Sequence, residues 1–190
     1  MLKDPRGGSS TVHRAYAVPS YVTAKAGEAE AIEVLVKVLS DRLHHKLTED
    51  NTARHATGIY FGDGRDSGLI LLHAVVNSSD ITEIEVAVDA VLKEISDNTV
   101  AEPDLEQAKK FLLAPFGGSR SKLAGFYGHL IAAGLTIEQV QSWPEAISRV
   151  TAADVQRVAQ EHLDPLRSVT GWLLPEPVGV EPDAQLSEAV

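Results

Sequence analysis

Two segments, Ala53 to Phe61 and Gly68 to Val76, are rich in β-forming residues and flank Gly62-Asp63-Gly64-Arg65-Asp66. Glycine and aspartate tolerate the backbone of a tight reversal, so this stretch predicts an antiparallel hairpin. A hairpin cannot bury its own apolar surface; it needs helices or further strands over a face. The chain supplies helices on both sides of it. Upstream, Ile32, Leu35, Val36, Leu39, Leu43 and Leu47 recur at three and four, the mark of a helix with one apolar face. Glu28, Glu30 and Glu33 stand near its start, where the helix dipole favours acids. Downstream, Ile81, Ile84, Val88, Val91, Leu92 and Ile95 form a second stripe, with Asp80 placed to cap it and an end near Ser96. The run Leu69-Ile70-Leu71-Leu72 does not alternate, which predicts a central strand covered on both faces.

The remaining punctuation extends this order. Thr11 to Val18 reads as a strand closed by Pro19, and Arg167 to Leu174 as a last strand. Between Pro103 and His162 the chain is helical. Pro103 suits a first turn, Pro115 and Gly117-Gly118 break the helix, Ser119 caps a new one and Gly134 stops it. Thr136 with Gln139 is a capping-box pattern, and Thr151 with Asp154 opens another helix. The order β-α-β-β-α, a helical block and a closing strand predicts an α+β fold, with a mainly antiparallel sheet and helices largely on one face. Residues 1–10 read as a flexible lead-in, 11–175 as one domain, and the acidic, Pro-rich 176–190 as a disordered tail.

Composition narrows the function classes. Lys and Arg number 17 against 27 Asp and Glu, a net charge of −10, which argues against nucleic acid or an anionic membrane face as partner. There is no cysteine, so disulfides and thiolate zinc sites are excluded. No stretch approaches the roughly 20 apolar residues of a membrane span. Met1 to Gly8 lacks the apolar run of a signal peptide, and the compartment is left open between periplasm and cytoplasm.

The histidines are the candidate chemistry. A helical zinc site needs two of them four apart on one face, and no pair among His13, His44, His45, His55, His73, His129 and His162 has that spacing. His45 has Asp41 and Glu49 one turn to either side; an oriented base and a plain solvated face both fit, and surface ion pairs of this kind are weak. His55 and His73 are equidistant from Gly64, so a symmetric hairpin would place them opposite each other and able to share a metal, although no third ligand is evident. Gly117-Gly118-Ser119-Arg120-Ser121-Lys122 has the residues of an anion loop in the wrong order and after a helix, so a kink between helices is the simpler reading. Ser119 and Ser121 have no base partner. Trp143-Pro144 reads as a core anchor and helix starter.

Several segments carry a resemblance in their order and spacing. They are Arg14-Ala15-Tyr16-Ala17-Val18-Pro19-Ser20-Tyr21, Gly27-Glu28-Ala29-Glu30-Ala31 and Glu102-Pro103-Asp104-Leu105-Glu106-Gln107-Ala108-Lys109. Further along come Gly134-Leu135-Thr136 through Trp143-Pro144, Val150-Thr151-Ala152-Ala153-Asp154-Val155 and Ser168-Val169-Thr170-Gly171-Trp172-Leu173-Leu174-Pro175. Over residues 12–175 the chain resembles the C-terminal, non-zinc half of a bacterial insulinase/pitrilysin-family metallopeptidase of the mitochondrial-processing-peptidase-like branch. The resemblance implies a sheet of about six strands backed by helices. It also implies a zinc-carrying N-terminal half bearing an inverted His-x-x-Glu-His, where zinc activates water, and no cofactor on this chain. It further implies a peptide or protein substrate held in a chamber, a second family subunit as partner, and apolar surface shared with the N-terminal half. The family's substrate-clamping Arg and Tyr, seven residues apart, fall on Thr48 and His55, which offer neither a cation nor a phenol. In the two-subunit branch of that family zinc and clamp lie on different subunits, so the resemblance, with the pair lost here, implies a zinc motif in the N-terminal half of this subunit. A structural scaffold subunit of the same fold, without peptidase activity, is the alternative.

Overall fold

The computed structural model describes residues 1–4, 9–49, 52–62, 64–76, 81–114 and 120–175. In chain order these form β1 (Leu2–Asp4), β2 (Ser10–Val18), α1 (Glu28–Glu49), β3 (Ala53–Phe61), β4 (Gly68–Val76), α2 (Ile81–Asp97), α3 (Glu102–Leu113), α4 (Arg120–Ala133), α5 (Ile137–Arg149), α6 (Ala152–His162) and β5 (Ser168–Pro175), with a 3-10 turn at Pro165–Arg167. The fold is α+β. One five-stranded sheet has the order β1-β5-β2-β4-β3, against the six or so strands expected. All neighbours are antiparallel except β1 and β5. Three residues of the expected lead-in thus form β1, aligned parallel with Leu173–Pro175. So short a strand has no alternation to read; pairing with the edge of β5 defines it.

The helices cover one sheet face. Val12, Tyr16 and Val18 of β2 and Ile70, Leu72, Ala74 and Val76 of β4 are buried under them. The residues between, including His13, Leu71, His73 and Val75, are exposed or half-buried. This corrects the expectation that β4 is covered on both faces. Among the described residues no second helical layer covers its outer side chains, which lie between the strands β2 and β3.

Helix α1 is the centre of the helical layer. It packs against β3, α2, α3, α5 and α6, so burial extends past the six-residue stripe to Ala31, Val34 and Val38. At Gly58 a Cβ would fall 3.2 Å from a Val36 methyl and 3.3 Å from the Val36 carbonyl, so a glycine there lets α1 lie close on the strand. The capping boxes at Thr136 with Gln139 and Thr151 with Asp154 are both formed, and Gly134 ends α4 at φ +119°. Asp63, Asp80, Pro115, Gly117, Gly118, Ser119 and the 176–190 tail lie outside the described residues.

Candidate functional site

The open sheet face carries a row of imidazoles. His13 of β2 is directly opposite His73 of β4, with ring centroids 4.6 Å apart. His55 does not oppose His73. It pairs with Val75, while Thr57 takes the place opposite His73. The hairpin is symmetric about Arg65 instead of Gly64, and an irregularity between Ala53 and His55 adjusts the strand end, so the pairing slides by two residues. An even slide keeps His55 on the same face as His73, now diagonal to it. His44 of α1 then comes within 5.7 Å of the His55 ring, centroid to centroid. Burial, His13 and His55 together push the His73 pKa below its ordinary value.

Thr48 sits in the last turn of α1 and donates its hydroxyl to the His44 carbonyl at 2.5 Å. Its one polar group is therefore tied back into its own helix. His45 pairs with Glu49 at 3.2 Å, both well exposed, while Asp41 accepts from Lys37. The exposure of both side chains fits the solvated-face reading of His45.

A second cluster joins the start of α1 to the end of α6. Glu28, whose side chain is 3% exposed, lies 3.1 Å from Nε2 of His162 and accepts the Lys25 backbone N–H at 2.8 Å. Burial alone would raise the Glu28 pKa. The Lys25 N–H, the His162 ring and the charges of Lys25 and His162 outweigh it, so the pKa lies below the usual value. Glu161 completes a trio whose ligand atoms lie within 4.8 Å of one another, and the Lys25 ammonium stands 3.5 Å from it. Sequence reading missed Glu28–His162 because 134 residues separate the two and neither belongs to a local motif. The trio does not fit the peptidase zinc motif. Glu161-His162 could close an inverted His-x-x-Glu-His, yet its first position is Val158, wholly buried in the core.

Other polar residues of the resembling segments serve as connectors. Arg14, buried on the helical face of β2, pairs with Asp89 of α2 and donates Nε–H to Thr170 of β5 at 3.0 Å. The Trp172 indole donates to Glu85 at 3.1 Å. Tyr21 donates its hydroxyl to Glu33 at 3.2 Å and accepts from the Trp143 indole at 2.7 Å.

No family model and no curated protein matches the sequence. Solved structures do match in fold. A protease from Helicobacter pylori superimposes with a TM-score of 0.81 at 19% identity, covering 92% of this chain and 43% of the other. The inactive peptidase domain of a candidate zinc protease from Bordetella parapertussis gives 0.76 at 22% identity, covering 92% and 95%. Complex III2 from Candida albicans contains a chain that gives 0.74 at 11% identity, covering 92% and 45%. This chain therefore spans less than half the length of the H. pylori protease, and nearly the whole of the Bordetella inactive domain.

Proposed function

We propose that this chain is the non-catalytic C-terminal half of an insulinase-type zinc endopeptidase, with the zinc site in an N-terminal half. The observation that carries the reading is its near end-to-end fit to an inactive peptidase domain, together with a fit to only 43% of a whole protease chain. In this reading the open sheet face, with exposed Ile59, Phe61 and Val169 and half-buried Leu71 and Val75, walls the substrate chamber and meets a partner. Thr48 and His55 stand at the clamp positions without a cation or a phenol, so the peptide backbone is held by a second family subunit. Residues of the other half would hold the zinc, which would supply Lewis-acid chemistry there, and this chain would contribute the chamber wall and no zinc ligand of that site.

The test is coexpression of this chain with its upstream half and the neighbouring family subunit. The expected result is chelator-sensitive cleavage of an unstructured peptide, with an inverted His-x-x-Glu-His in the upstream half and no cleavage by this chain alone. A parent without that motif would instead support a scaffold subunit, the reading favoured by the likeness to a chain of Complex III2.

A further inference from the structure

We propose that His13 and His73, with His55 beside them, form a binding site for a divalent transition-metal ion that favours imidazole, of the zinc, nickel or copper type. This departs from the expectation that the chain binds no metal, and does not depend on its role as half of a peptidase.

The cross-strand pair is the core of the site. His13 and His73 occupy opposed positions on adjacent antiparallel strands, and their rings lie 4.6 Å apart, tilted 50°. Opposed side chains on one sheet face have Cβ atoms about 5 Å apart, a separation from which two ring nitrogens can converge on one ion. The strands hold that spacing rigidly, because β2 and β4 pair along nine positions, from Ser10↔Val76 to Val18↔Gly68. His55 lies diagonal to His73 on the far side, within reach as a third ligand on rotation of its side chain.

Three further observations point the same way. Among the described residues, none of these three rings has a hydrogen-bond or carboxylate partner, so their nitrogens are free to ligate. Burial and the two neighbouring rings favour neutral His73, the form that binds metal. Beside His13 on β5 the register partner is Gly171, and a Cβ built there meets nothing within 4 Å, which leaves room for an ion and its waters. Valine or threonine would serve these sheet positions better if packing were all that was asked. Imidazole donors select zinc, nickel or copper over magnesium and calcium, which take oxygen ligands.

The competing location is Glu28–Glu161–His162. There Glu28 already accepts from Lys25 and His162, and the Lys25 ammonium sits against Glu161. A cation would have to displace both.

The experiment is calorimetric titration of the protein, prepared without a polyhistidine tag, with zinc and with nickel, using magnesium as control. Wild type, His13→Gln, His73→Gln and His162→Gln are compared, each checked for folding by thermal melting without metal. Saturable zinc or nickel binding that is lost in His13→Gln and His73→Gln, and kept in His162→Gln, is expected, with a metal-dependent rise in melting temperature following the same pattern. His13 is exposed, so His13→Gln is expected to keep the fold and carries the test if His73→Gln does not. No saturable binding in the wild type, or binding lost only in His162→Gln, overturns the proposal.

Discussion

The indole N–H of Trp143 on α5 donates to the hydroxyl of Tyr21 at 2.7 Å, across 122 residues. Tyr21 donates its own O–H to Glu33 of α1, so one hydroxyl ties the loop after β2 to two helices. Trp143 is buried, and removing the hydroxyl takes away the acceptor that its N–H meets at 2.7 Å. Tyr21→Phe removes both of these hydrogen bonds and is therefore expected to cost about 1–3 kcal/mol, at roughly 0.5–1.5 kcal/mol for each. Urea unfolding measures it; an unchanged midpoint would show that the hydrogen bonds contribute nothing net.

The same network gives a pH dependence of unusual sign. Burial raises the Glu33 carboxyl from 4.5 to about 7, with the negative charge of Glu30 adding to it and the Tyr21 hydrogen bond opposing. The unfolded chain releases this proton near the ordinary value while the folded chain keeps it. Stability contributed by Glu33 is thus full below pH 4.5 and declines as pH rises to about 7. Glu33→Gln should flatten that decline and stabilise the protein above neutrality, by at most about 3 kcal/mol. Melting curves across the range decide it, and parallel wild-type and variant profiles would refute the assignment.

Glu28 behaves in the opposite way. Its pKa is held below the usual carboxylate value, so its contribution is present above that value and lost as pH falls through the folded one. Glu28→Gln should destabilise by about 1–3 kcal/mol at neutral pH, since His162 loses its buried partner. The gap between variant and wild type should close in acid. A gap independent of pH would mean that packing, not charge, is what the substitution removes.

Among the described residues the enclosed Arg14 has Asp89 as its one salt-bridge partner, and Asp89 is half exposed. Asp89→Asn leaves a buried cation with neutral partners alone, among them Thr170 and the new amide oxygen. A loss of about 1–3 kcal/mol is expected, below the range for a fully buried pair because water screens Asp89. Adding Arg14→Met to the same chain should recover part of that loss. Chemical denaturation of the single and double variants tests the coupling; strictly additive losses would deny it.

Helix stripes, capping boxes and the hairpin were legible in the sequence because each is a local pattern. Thr136 with Gln139, Thr151 with Asp154 and the stripe from Ile32 to Leu47 each repeat within one or two turns. Register was not legible. Gly64 and Arg65 are equally plausible centres for one loop, and a shift of the centre by one residue moves the pairing by two. His55 therefore lost its expected partner while His73 gained another, His13, from a strand 60 residues upstream whose pairing no local signal reports. Glu28 with His162, and Arg14 with Asp89, are contacts of the same non-local kind.

The position of β5 between β1 and β2 bears on how the chain matures. Strands β2, β3 and β4 are all made by Val76 and can pair early, whereas the partner for the other side of β2 begins only at Ser168. Throughout synthesis of the intervening helices, β2 presents an unpaired edge, the feature by which nascent sheets capture one another. Completion of the sheet must await release of its last strand from the ribosome. During that interval a growing chain is exposed to misassociation from which the finished one is protected.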